Sequence, residues 1–196
     1  MSDPQTIAVY DAKTQEYAEL TATDGDLPVL RDFEALLPRR SKVLDYGCGP
    51  GHAAGYFARN GHQVHAFDAS VEMVKLAKAH DGVTAWQSYF SEFQAVEEYD
   101  GIWASFSLLH AARSDIPKLL GALRAALRPK GWLYIGVKLG SGEARDEIGR
   151  LYTYFHEDEI SHFIQEAGFT ITDTKFGSGL GLDGTPSKWI SIVAHG

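Results

Sequence analysis

The stretch Val43-Leu44-Asp45-Tyr46-Gly47-Cys48-Gly49-Pro50-Gly51 holds the residues best suited to chemistry. Two apolar residues lead into an acid, and three glycines then fall at alternate positions. A second acid, Asp68, follows twenty-one residues after Gly47 and closes another apolar run, Val64 to Phe67. This is the spacing of a nucleotide-type ligand laid across the first βα turn of an open sheet. Glycines let the backbone approach the ligand, and an acid at the end of the second strand accepts hydrogen bonds from ribose hydroxyls. A dinucleotide, and with it an NAD-dependent oxidoreductase, fits poorly. Its usual pattern places the third glycine three residues after the second, whereas Gly51 is two residues after Gly49. Asp45, at the mouth of the turn, would also repel a pyrophosphate.

A ligand with a cationic end is favoured beside Asp45. S-adenosylmethionine has an ammonium, a sulfonium and a ribose, and no phosphate. The stretch from Val43 to Gly51 resembles motif I of the class I (Rossmann-like) methyltransferases, and Asp68 matches their acid after the second strand. The resemblance covers most of 40–195 and is closest to the small-molecule type, the UbiE and tellurite-resistance-like group. It implies S-adenosylmethionine as cofactor, S-adenosylhomocysteine as product and no metal. Asp45 is then expected to hold the methionine ammonium through the turn formed by Gly47, Cys48, Gly49 and Gly51. Asp68 takes the ribose, and Ala69 and Met73 line the adenine face unless Met73 is simply core. The acid that the family commonly carries after strand 3 is missing from Gln87-Ser88-Tyr89-Phe90. Ser88 or backbone groups are the substitutes, with Tyr89 or Phe90 stacking. Tyr10 to Ala18 resembles the N-terminal lid helix of the group, which brings Tyr17 to the cofactor.

On the acceptor side, Ser105-Phe106-Ser107-Leu108-Leu109-His110 lacks the Asn/Asp-Pro-Pro-aromatic motif of methyltransferases acting on planar nitrogens. His110 is either a general base or a histidine that caps the following loop. Lys138, Arg145 and Arg150 bracket one loop and either bind an acceptor carboxylate or phosphate, or pair with Glu143, Asp146 and Glu147 on a solvated segment. Methyl transfer from a sulfonium needs alignment more than it needs a base. The expected activity is methyl transfer to a small molecule; the alternative is an idle S-adenosylmethionine-binding regulatory or partner protein.

These residues need a sheet to position them. The 196 residues suit one domain, with lid helices over 1–40 and a Rossmann-like core over 41–196. Strands are expected near 42–46, 63–67, 83–87, 100–105 and 132–138, then at 169–176 and 187–194 around a glycine-rich segment, Gly177 to Gly184. Helices are expected over 5–20, from Pro28, over 51–60, over 70–80, from Ser114 and from His156; residues 139–155 give no clear pattern. Alternation implies an α/β, doubly wound, seven-stranded and mostly parallel sheet with helices on both faces. The resemblance adds the order 3-2-1-4-5-7-6. A net charge of −8 disfavours nucleic acid. No apolar run of membrane-spanning length and no secretory leader are visible, and Cys48 is the sole cysteine. Both features point to the cytoplasm.

Overall fold

In the computed structural model, which describes residues 3–22 and 27–196, strands and helices alternate from Lys42 onward as the apolar patterning predicts. Three helices come first: α1 (Pro4–Ala12), α2 (Thr14–Thr21) and α3 (Leu27–Glu34). The single helix expected over 5–20 is broken at Lys13. There the Thr14 hydroxyl donates back to the carbonyls of Tyr10 (2.7 Å) and Asp11 (3.0 Å), a side-chain bond that competes with the helical ladder. Asp3 caps α1 by accepting the Thr6 N–H at 2.8 Å.

The core then runs β1 (Lys42–Tyr46), α4 (His52–Arg59), β2 (Gln63–Asp68), α5 (Val71–Ala77), β3 (Val83–Gln87), β4 (Tyr99–Ser105), α6 (Ile116–Ala126) and β5 (Leu127–Lys138). Ser70 caps α5 through the Met73 N–H (3.1 Å), but the helix stops at Ala77, short of the expected His80. A 3-10 turn, Arg113–Asp115, leads into α6. Strand β5 begins at Leu127, where the sequence suggests that Arg128-Pro129-Lys130-Gly131 simply ends the helix. The pairing with β4 shifts register between Tyr99 and Gly101, and Lys130 takes a left-handed φ of 67°.

Residues 139–155 form a small antiparallel hairpin, β6 (Glu143–Arg145) with β7 (Leu151–Thr153). Helix α7 (Glu157–Glu166) follows, with three acids in its first turn. The chain closes with β8 (Thr170–Leu180) and β9 (Pro186–His195). Both are longer than expected, because Gly177 to Leu180 pair with Trp189 to Pro186 instead of forming a connection.

The main sheet has the order β3-β2-β1-β4-β5-β9-β8, with β9 antiparallel to both neighbours. This is the expected order, since β8 and β9 are its sixth and seventh strands in sequence. Winding reverses between β1 and β4, so the carboxyl ends of these strands open a crevice at the switch point. Alternation along β1 sends Leu44 and Tyr46 into one apolar layer and Val43 into the other, and aims Asp45 toward the α4 face. Helix α3 closes that second layer: Phe33 meets the stacked Trp103 and Tyr134 edge-on, at 5.5 and 6.2 Å.

Candidate active site

Two adjoining spaces lie over the carboxyl ends of β1, β2 and β4, and Gly47 and Gly49 line both. The turn requires glycine. Gly47 has a φ of +74°, and a Cβ there would stand 2.5 Å from that of Ser107. Gly51 lines neither space. It starts α4 with a φ of +79°, and a side chain there would collide with Ala77 of α5 at 2.8 Å. Its part is to bring two helices together beneath the site.

The first space has Asp68, Ala69 and Met73 on one wall and Phe90, Ser107 and His110 on another. Both oxygens of Asp68 are already oriented by backbone donors: Gly49 N–H to Oδ2 and Ser70 N–H to Oδ1, each at 2.9 Å. Desolvation raises its pKa, and these two bonds oppose the rise. Phe90 lies stacked on Tyr46 at 4.7 Å and lines the space. Ser88 and Tyr89 line neither space. They are used in a local cap, with the Tyr89 N–H donating to Glu92 at 2.9 Å and the Ser88 hydroxyl turned to the Tyr89 carbonyl. Tyr10 of α1 and Tyr17 of α2, edge to face at 5.2 Å, line the same space.

Asp45 and Cys48 line the second space, with His52 and Arg59 beyond them. Asp45 is 3% exposed; Oδ2 accepts the Ala54 N–H of α4 at 3.0 Å. Burial pushes its carboxyl up to about 7; the Ala54 bond opposes this and the Asp68 charge adds to it. Burial likewise drives the Cys48 thiol well above its ordinary value, so it packs and does not react. Tyr17, Ser105 and Phe106 border both spaces. Phe106 holds a left-handed φ of 51°, a conformation rare outside glycine and concentrated at functional sites.

His110 is buried against Tyr10 of α1. Nδ1 lies 2.7 Å from the Leu151 carbonyl, which can only accept, so that nitrogen bears the proton. Nε2 then accepts the Tyr10 hydroxyl at 2.8 Å, and the same hydroxyl receives Arg150 Nη1 at 3.0 Å. Desolvation pushes the His110 pKa down to about 3, helped by Arg150 and Lys138 and opposed by the Leu151 bond. Its lone pair is occupied, and the residue ties the turn after β4 to β7.

The three cations do not converge. Arg145 forks onto both oxygens of Asp3, at 3.0 and 2.8 Å. Arg150 is 1% exposed and bound to Asp146, with Nε at 2.8 Å and Nη2 at 2.7 Å, between the rings of Tyr10 and Tyr152. Lys138 rests on the Tyr152 ring at 4.2 Å. Sequence reasoning missed Ser107, whose buried hydroxyl lacks a hydrogen-bond partner among the described residues. It also missed Phe106. The pairing of Arg150 with Asp146 is among those the sequence offers, but the pair is buried and not on a solvated segment. A serine among apolar residues carries no signal of its own, and the conformation of Phe106 is set by its neighbours. Among the described residues, no group of three or more His, Cys, Asp or Glu is arranged to hold a metal.

A family model described as methyltransferase domain matches residues 28–174. The chain is 32% identical over 161 residues to a ubiquinone biosynthesis O-methyltransferase of Xanthomonas axonopodis pv. citri (strain 306), covering 70% of this chain and 66% of that protein. The matched part is a smaller share of two other curated relatives, 42% and 36% of their lengths. A solved Burkholderia thailandensis 1,6-didemethyltoxoflavin-N1-methyltransferase, holding 1,6-didemethyltoxoflavin and S-adenosylhomocysteine, superposes with a TM-score of 0.78 at 24% identity, over 100% of this chain and 91% of that one. The [4+2]-cyclase SpnF superposes with a TM-score of 0.73 at 18% identity, over 96% and 93%. Likeness at these identities speaks for the fold, and the fold alone does not name a reaction.

Proposed function

The chain belongs to the methyltransferase-domain family, and from that premise we propose that it binds S-adenosylmethionine across the turn after β1 and transfers its methyl group to a small-molecule acceptor, releasing S-adenosylhomocysteine. One observation carries the reading: the glycine turn borders two adjoining spaces with an acid in each, Asp45 buried and Asp68 half-buried. Asp68 suits ribose hydroxyls. Asp45 suits an ammonium, which would favour the ionised form that burial disfavours. The unpartnered Ser107 hydroxyl fits a polar ligand in the first space. Ala69, Met73 and Phe90 supply apolar walls for a purine, and Tyr17 covers both spaces.

Bound S-adenosylmethionine supplies an activated methyl group, so the protein's task is to align and desolvate. His110 positions the turn after β4. The acceptor is a small molecule, and an acidic group on it would suit Lys138 at the end of β5. The net charge of −8 argues against nucleic acid, and the sole cysteine suits the reducing cytoplasm. The chain is taken as one domain, 1–40 serving as lid. No described helix is long and apolar enough to cross a membrane.

The test has two stages. Titration calorimetry with S-adenosylmethionine and S-adenosylhomocysteine should give a saturable heat for both; no heat and no thermal stabilisation would refute the proposal. A metabolite panel scored for S-adenosylhomocysteine release then separates an enzyme from an idle binder.

A further inference from the structure

Of the three cations near the end of β5, two are consumed by the fold. Arg145 is fixed on Asp3 and Arg150 on Asp146. Lys138 differs from both. It is the last residue of β5 and is 9% exposed. No carboxylate lies within ion-pairing distance of its amine among the described residues. Its contacts are the Tyr152 face at 4.2 Å and the glycine loop between β8 and β9, where a Cβ on Gly181 would stand 3.3 Å from Nζ. Arg150 packs on the same tyrosine ring at 5.1 Å.

Most of the side chain is buried while the ammonium itself still reaches solvent, and it has three donors to satisfy. A ring face offsets part of the desolvation cost, and an unpaired charge in such a place is unfavourable. The second cation on Tyr152 makes the position more positive, and Asp183 in the same glycine loop is the acid that partly offsets it. Burial and then Arg150 hold the Lys138 pKa below the ordinary lysine value, while Asp183 and Asp146 raise it. Tyr152 in turn packs on His110 at 4.6 Å, and His110 lines the first space. The lysine therefore stands one aromatic ring away from the proposed cofactor space, between the β6–β7 hairpin and the loop joining β8 to β9.

We propose that Lys138 is the anchor for an oxyanion, a carboxylate or a phosphate, carried by the acceptor. This rests on the methyltransferase reading and narrows it to acidic acceptors. The lysine acts as a specificity determinant and takes no part in moving the methyl group. Lys138→Met removes the charge and keeps most of the apolar stem. Lys138→Arg keeps the charge.

Benzoate and inorganic phosphate are the probes, titrated into the wild type and both variants against sodium chloride at equal ionic strength. Binding is followed by calorimetry and thermal shift. The wild type should bind at least one probe, and the arm that responds tells carboxylate from phosphate. Lys138→Met should weaken that binding by about tenfold or more, the size of one lost charge-assisted hydrogen bond, and Lys138→Arg should retain most of it. S-adenosylhomocysteine affinity should be the same in all three proteins. Neither probe binding to the wild type, or equal binding to Lys138→Met, would overturn the assignment. A loss of S-adenosylhomocysteine binding in Lys138→Met would also overturn it, by showing a structural role. Failure of the wild type to bind S-adenosylhomocysteine would instead sink the methyltransferase reading, while the anion arms still report on the lysine.

Discussion

Asp45 and Asp68 end neighbouring strands, yet their surroundings set them different tasks. Asp68 has two backbone donors and an open side on the first space. Asp68→Ala should weaken S-adenosylhomocysteine binding by about 2–3 kcal/mol, the loss of up to two bonds to a charged acceptor; an unchanged dissociation constant in calorimetry would remove Asp68 from the ribose. Asp45 has one donor and a pKa pushed up to about 7. A raised carboxyl favours the protonated folded state. Its contribution to stability is therefore present at low pH and is lost as pH rises through about 7. Cofactor affinity should run the other way: it should rise with pH up to about 7 and level off above, with a slope approaching about tenfold per pH unit on the acid side. Asp45→Asn should flatten that profile; a profile that is already flat in the wild type would mean that no cation sits beside Asp45. The glycines and both acids were legible in the sequence because their spacing is local. The missing acid after β3 points to Ser88 and Tyr89 as substitutes at the ligand, but Glu92 claims that turn for a cap.

At the scale of elements, the β6–β7 hairpin shows what spacing along the chain could not reveal. Its residues have no clean period, because they are ordered from outside. Thr153 Oγ1 donates to the Ala111 carbonyl (2.7 Å), Arg113 reaches the carbonyls of Gly142 and Tyr154, and His110 holds Leu151. The bond from Arg150 to Asp146 closes its turn from within. Removing one member of a buried pair leaves the other charge uncompensated, so Arg150→Gln should lower unfolding free energy by about 3–5 kcal/mol. Urea denaturation checks this. A cost under about 1 kcal/mol, the range of exposed pairs, would contradict the buried placement. The break between α1 and α2 is a similar case: Thr14 looks like an ordinary helix residue until its hydroxyl is seen turned back on α1.

For the whole molecule, the alternation of apolar strands and amphipathic helices makes a mostly parallel sheet readable, and the lack of a helix between the last two strands makes them pair antiparallel, while the strand order comes from the resemblance. The length of β8 and β9 is not readable, since glycines at 177 and 179 weaken the strand signal that their pairing overrides. With a net charge of −8, sub-micromolar binding to duplex DNA or RNA is not expected at physiological salt; a gel shift giving sequence-dependent binding would contradict that. The N-terminal helices have a consequence for the molecule's motions. Helix α1 is held through Asp3 to Arg145, Thr6 to Leu151, Tyr10 to Arg150 and Asp11 to Ser70, and α2 through Ala18 to His52. Most of these α1 bonds end on the β6–β7 hairpin, far along the chain. The first helix and this hairpin should therefore open as one cooperative unit, below the energy of global unfolding. In hydrogen exchange, the amides of 4–12 and 143–153 should lose protection with a common rate, and a ligand bound against Tyr10 should slow both together, although the hairpin lies outside the cofactor space.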